Sequence, residues 1–189
     1  LVLTALLALN VSVDILDAFA IVNDGIETSN ASVEKKIEDY YLTFKQQYDK
    51  QPDKAGEYWA KAQDIRKKTD EIINYIETEI KVPLVMVTEG ITLEDILSPE
   101  DPEKALLRNK DKTDAAKHSR VFYEFDLKNI SAKDKYDAPT NFMINENHGA
   151  ELRAKIDEYR NYIINTIESA GIPNYASHVG LITDAEYYD

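Results

Sequence analysis

Residues 1–22 read LVLTALLALNVSVDILDAFAIV, and the reading of that string decides the fold. Leu1 to Val13 carries no charge, and apolar character resumes around Asp14 and Asp17 as far as Val22. Thirteen helical residues rise roughly 20 Å, short of the ~30 Å hydrocarbon layer of a bilayer. Three readings compete. The string is a secretory signal with Ala18-Phe19-Ala20 as its cleavage site, a buried core helix, or the outer part of a membrane helix. The first residue is Leu1 rather than methionine, so the inner part of such a helix is expected to precede it. Two features favour the membrane reading. The helical pattern continues past Ala20 through Ile21, Ile26, Val33 and Ile37, and Asp14 and Asp17 would be unusual in a signal.

The faces of this helix are unequal. Val2, Leu6, Leu9, Val13, Leu16 and Ala20 follow alternating steps of four and three, a heptad seam suited to pairing with another helix. The neighbouring row Leu3, Leu7, Asn10, Asp14, Asp17, Ile21, Asp24 turns polar halfway along. On one account the helix is leaving the bilayer there and its carboxylates are solvated. On the other, Thr4, Asn10, Ser12, Asp14 and Asp17 meet polar groups on neighbouring membrane helices, because polar groups in a bilayer need partners. No Lys or Arg occurs before Lys35, which is compatible with an outward-facing C-terminal side.

Beyond residue 22 the apolar positions Ile26, Val33, Ile37, Tyr40, Tyr41, Phe44 and Tyr48 keep helical spacing, which predicts one helix running on to about Tyr48. Gln51-Pro52-Asp53 breaks it, with Asp53 as N-cap of the next helix. That helix, about Lys54 to Lys81, places Trp59, Ala62, Ile65, Thr69, Ile72, Ile76 and Ile80 on one side and is expected to stop at Pro83. From Val82 to about Asn147 the pattern is irregular. Val85-Met86-Val87 reads as a short strand or buried extended piece, and Leu93 to Leu97 as a helical turn or two. Glu103 to His118 reads as a charged helix or surface segment, and Val121, Tyr123 and Phe125 alternate like a strand. A last helix spans about Gly149 to Ser169, with Leu152, Ile156, Tyr159, Ile163 and Ile167 inward and Gly171 as its C-cap glycine. The expected fold is all-α: a single transmembrane helix (1–22) continuing into an antiparallel helical bundle with an irregular insert (23–175). A linker begins over 176–189.

The 189 residues suffice for one sizeable domain, and 43% of them are hydrophobic. With 22 basic against 35 acidic side chains the net charge is -13, which argues against binding nucleic acid through a broad basic surface. Cysteine is absent, which removes disulfides, thiolate metal sites and cysteine nucleophiles. The sequence holds no Gly-rich phosphate loop and no G-x-S-x-G elbow. His118, His148 and His178 lack metal-site spacing and read as surface or locally bonded. The twelve tyrosines recur at helical spacing and read as packing residues. The residues support a membrane-tethered helical module rather than an enzyme, with no cofactor.

The string LVLTALLALNVSVDILDAF, followed by VNDGIE, resembles the membrane helix of the GldM/PorM family of Bacteroidetes. The resemblance recurs at KDKYDAPTNFMI (Lys133 to Ile144) and GAELRAKIDEYR (Gly149 to Arg160), while about Val85 to Val121 gives little match. It implies a protein of the inner membrane, single-pass, with its N-terminus cytoplasmic and its bulk periplasmic. It implies a parallel homodimer whose paired membrane helices sit inside a ring of GldL/PorL-type subunits. Further domains, expected beyond Asp189, would reach outer-membrane-associated components. The resemblance also implies a motor driven by the proton motive force that powers type IX secretion and gliding. The family's basic flank, with its ion-pairing arginine, would precede Leu1. The alternatives are a membrane-anchored scaffold without energy transduction and a signal-cleaved helical binding protein.

Overall fold

The computed structural model describes residues 2–97, 105–109, 121, 123–126, 129–132, 135 and 137–171, with side chains from residue 18 onward apart from 108 and 109. The fold is all-α apart from one two-stranded ribbon among the described residues. The chain divides into two compact units, 1–59 and 60–189.

The first unit is dominated by α1, a single helix over Val2–Lys50 of 49 residues. Its start is rich in Leu and Ala, strong helix formers. Its polar turns are braced by pairs one turn apart, Asn23 to Glu27 at 2.8 Å and Lys45 to Asp49 at 3.0 Å. The next helix, α2 (Pro52–Tyr75), begins at Pro52, which has no N–H to lose at a first helical position. Gln51 serves both helices. Its N–H donates to the Gln47 carbonyl at 2.9 Å, and its own carbonyl accepts from Lys54 and Ala55 at 3.1 and 3.0 Å. Asp53 therefore lies inside the first turn of α2 rather than capping it. Trp59 on α2 then collects the end of α1: Tyr48 stacks on it at 5.9 Å, while Phe44 and Tyr41 meet it edge-on at 5.5 and 6.3 Å.

In the second unit, α2 runs antiparallel to α6 (His148–Ser169). Lys61 Nζ reaches the Ser169 carbonyl at 3.2 Å, the Thr69 and Tyr159 hydroxyls share a hydrogen bond at 2.7 Å, and Lys155 Nζ lies 4.5 Å over the Tyr75 ring. Falling numbers on one helix against rising numbers on the other fix the direction and the register. Ile163 is buried here, and Gly171, at φ 67°, ends α6 in the left-handed conformation as expected.

Pro83 does not stop the second helix. The backbone passes from α2 through a π-turn, Ile76–Lys81, into α3 (Val82–Glu89), and Val82 N–H bonds to Glu77 five residues back. A proline ring crowds the carbonyl four residues earlier, here Glu79, and a widened turn is how a helix makes room for it. Val85-Met86-Val87 is accordingly helical, not extended; a short run of buried apolar residues has no period with which to tell the two apart. Gly90, at φ 70°, caps α3. A short helix, α4 (Leu93–Leu97), follows, its entry held by Thr92 and Asp95 in a reciprocal cap.

The charged segment 103–118 contributes a strand where it is described: β1 (Leu107–Asn109) pairs antiparallel with β2 (Glu124–Phe125). Of the alternating residues Val121, Tyr123 and Phe125, only Phe125 lies in a strand among the described residues. Val82, Ile96, Leu106 and Phe125 form the buried core of this region, flanked by Val85, Met86, Ile91, Leu107, Tyr123 and Ile130. A second π-turn, Asn141–Asn145, follows α5 (Asp137–Thr140) and leads into α6 through Asn147 at φ 69°. A Cβ on Gly149 would lie 2.8 Å from the Met143 carbonyl oxygen, so this corner admits only glycine without a backbone shift.

Candidate functional site

Of the seam residues read from the sequence, Val2, Leu6, Leu9, Val13 and Leu16 lie in the helical backbone of α1, but their side chains lie outside the described residues, as do those of Thr4, Asn10, Ser12, Asp14 and Asp17. Ala20 is described and is half-buried. Among the described residues no helix is long and apolar enough to cross a membrane.

The side chains that follow carry a feature the sequence reading did not separate out. Phe19, Val22, Ile26, Val33, Ile37 and Tyr40 are all exposed, at 67, 57, 54, 51, 40 and 74%. At about 100° per residue these six fall within roughly 60° of arc on a straight helix. Four of them, Phe19, Ile26, Val33 and Tyr40, recur every seventh residue, a spacing plainly visible in the sequence once burial says which apolar residues have no cover. An exposed apolar row of this length on one helix face marks an interaction surface. Asn23, Glu27, Glu34, Glu38 and Tyr41 occupy the adjoining face and are half-buried.

Toward the far end of the molecule's second unit, polar side chains fasten the ribbon to the helix. Asn74 Oδ1 accepts the Val121 N–H and Glu77 Oε2 accepts the Tyr123 N–H, both at 2.8 Å. Lys81 holds Glu77 at 3.2 Å and lies 5.8 Å over the Phe125 ring. The rise of three or four helical residues approximates two residues of strand, so alternate strand positions meet successive helix turns. The buried Glu77 carboxylate is thus both paired and hydrogen-bonded, as a buried charge must be.

Glu89, at the end of α3, takes the Ser131 N–H at 3.0 Å, the Ser131 hydroxyl at 2.6 Å and the Ala132 N–H at 3.0 Å, while Lys135 Nζ caps the Thr88 carbonyl at 2.8 Å. Burial pushes the Glu89 carboxyl upward, but these bonds and the Lys135 charge outweigh it and hold it below the usual carboxylate range. His148 stacks on Phe142 at 4.2 Å, with the Glu146 and Glu151 carboxylates each 3.7 Å from a ring nitrogen. His118 and His178 lie outside the described residues. Among the described residues no cluster of three or more His, Asp or Glu could hold a metal ion. The arrangement offers surfaces and clasps. It assembles no nucleophile with a base.

A family model described as the GldM N-terminal domain matches residues 14–186, and the chain belongs to that family. No curated protein and no solved structure matches it.

Proposed function

We propose that this member of the GldM N-terminal domain family is the inner-membrane motor component of the type IX secretion and gliding machinery. Family membership supports a part in that machinery. On our reading, two copies pair through Val2, Leu6, Leu9, Val13 and Leu16 inside a ring of GldL-type subunits. Asn10 and Ser12 supply interhelical hydrogen bonds, each worth about 1 kcal/mol or less. Proton uptake by a ring carboxylate changes which subunit grips the pair, so the preferred orientation of the pair shifts. One charge crossing 100 mV supplies about 2.3 kcal/mol, enough to bias contact differences of that size.

The observation that carries this reading is the unbroken α1. It runs from the apolar start to the aromatic cluster on Trp59 without a proline or a kink-forming turn, roughly 70 Å at 1.5 Å per residue. A helix of that kind can act as a shaft: rotation or tilt imposed on one end arrives at the other. Asn10→Leu should leave the complex assembled and lower protein export several-fold, scored by secreted cargo. Collapsing the proton gradient should halt export while the complex still co-purifies. Export that persists without the gradient would leave a scaffold, and a mature N-terminus at Ile21 would leave a secreted binding protein.

A further inference from the structure

The chain enters the second unit at Ala60 and leaves α6 at Gly171, and both points lie at one end of the α2–α6 pair. Lys61 Nζ bonds the Ser169 carbonyl there at 3.2 Å. At the other end α2 runs on into α3, and α5 leads back into α6, with α4 and the ribbon between them in sequence. A pull through the backbone at entry and exit therefore acts on the mouth of a closed hairpin. It meets the contacts between the arms one after another.

Those contacts are graded. Nearest the mouth is the exposed bond of Lys61 to Ser169. Farther in come the buried Ile163, then the half-buried Thr69–Tyr159 hydroxyl pair at 2.7 Å, then Lys155 over the Tyr75 ring. Beyond that level a third piece of chain joins in. Asn74 and Glu77 accept the Val121 and Tyr123 N–H groups at 2.8 Å, and Glu77, Ile80, Val82 and Ile96 are all buried. Opening is serial as far as Tyr75 and must break several contacts together past it. From this gradient we infer that the α2–α6 pair is a tension-yielding hairpin. Load along the backbone parts Lys61–Tyr75 from Lys155–Ser169 and is arrested at the ribbon clasp. The inference rests on the shaft reading above, in which the chain carries load between its membrane helix and the segments after Gly171.

Such an opening is recoverable. Each arm frees about 15 residues, a helix length that is marginal once unpacked. The two arms together release about 45 Å if the freed turns stay helical and about 100 Å if they melt. The part past the arrest keeps its core of Val82, Ile96, Leu106 and Phe125, so the arms have a fixed end from which to close when the load falls. A pull directed along α2 loads the same contacts together, in shear, and finds no weakest first bond.

The sequence has no cysteine, so handles can be placed by paired substitution. The full chain in detergent, one substituted copy per assembly, is stretched in optical tweezers with handles at Ala60→Cys and Ala170→Cys. A second preparation carries them at Ala60→Cys and Val87→Cys, both on the α2–α3 arm. The first geometry should give an early, reversible extension of about 45–100 Å and then a separate, larger one. The early step should come at roughly half the force of the first event in the second geometry, or less. Tyr159→Phe removes the hydroxyl bond to Thr69 and should lower the force of the early step. Glu77→Gln weakens the clasp and should lower only the later one. A single all-or-none event, equal first forces in the two geometries, or an early step unmoved by Tyr159→Phe overturns the inference. Loss of the motor reading shows elsewhere, as export that persists without the proton gradient, and leaves these extensions unchanged.

Discussion

Ile26 and Ile96 are the same side chain with opposite fates. On α1 Ile26 is 54% exposed, although it sits on the most regular helix of the protein. Ile96 is fully buried, although it belongs to a helix of five residues inside the least regular stretch of the sequence. Regular periodicity reveals that a segment is helical; it does not reveal what the helix packs against. The irregular insert is irregular because it wraps around a core of its own, built from Val82, Ile96, Leu106 and Phe125, whereas the apolar row of α1 is exposed.

Four substitutions press on that contrast. Ile96→Ala should have the largest effect, about 3–4 kcal/mol lost in chemical denaturation, because a closed core cannot collapse fully around the cavity. A loss under ~1 kcal/mol would mean that the insert is not the core. Gly149→Ala should cost about 2 kcal/mol, since the new methyl meets the Met143 carbonyl and the corner before α6 must shift. Comparing it with Gly25→Ala, where a Cβ meets nothing within 4 Å, controls for the ordinary gain in helix propensity.

Glu89→Gln should cost less, about 1 kcal/mol or under, because the clasp on Ser131 and Ala132 is partly open to water. Its signature is pH dependence. The folded carboxyl lies below its ordinary value, so its contribution is fully present above the usual carboxylate range and disappears as pH falls through the depressed value. Wild type should lose stability across that acid window, and Glu89→Gln should lose correspondingly less. Ile26→Ala should be the mildest, within about 0.5 kcal/mol on the unpaired chain, as expected of an exposed site. A large loss in dilute, monomeric protein would show that the row is covered by the chain itself.

Much of the fold could be read in advance, and the errors share a cause. The long helices α1, α2 and α6 and the Gly171 cap follow from spacing that recurs over many turns. The stop expected at Pro83 failed because a proline forbids one hydrogen bond and one carbonyl position, not a helix. Where neighbouring contacts hold the chain, a widened turn absorbs the insult. Here Glu77 and Lys81 grip the ribbon from within that turn, over a distance in sequence that no local pattern conveys. The strand at Leu107–Asn109 was hidden among charges for a similar reason, since its pairing with Glu124–Phe125 is non-local. At the candidate site, the heptad positions were legible as helical residues, but exposure had to be measured before Phe19, Ile26, Val33 and Tyr40 stood apart from the inward-facing Tyr48.

The π-turn at Ile76–Lys81 has a consequence for how this chain tolerates change in length. A π-turn holds an extra residue relative to ordinary winding, so it already contains the slack that an insertion would create and a deletion would consume. Removing one residue there, for example Thr78, would return the backbone to α-geometry and press the Pro83 ring onto a carbonyl. It would also shift by one position the side chains that hold the ribbon. Natural variants of this domain should therefore vary in length in the loops on either side and keep a fixed count between Asn74 and Pro83.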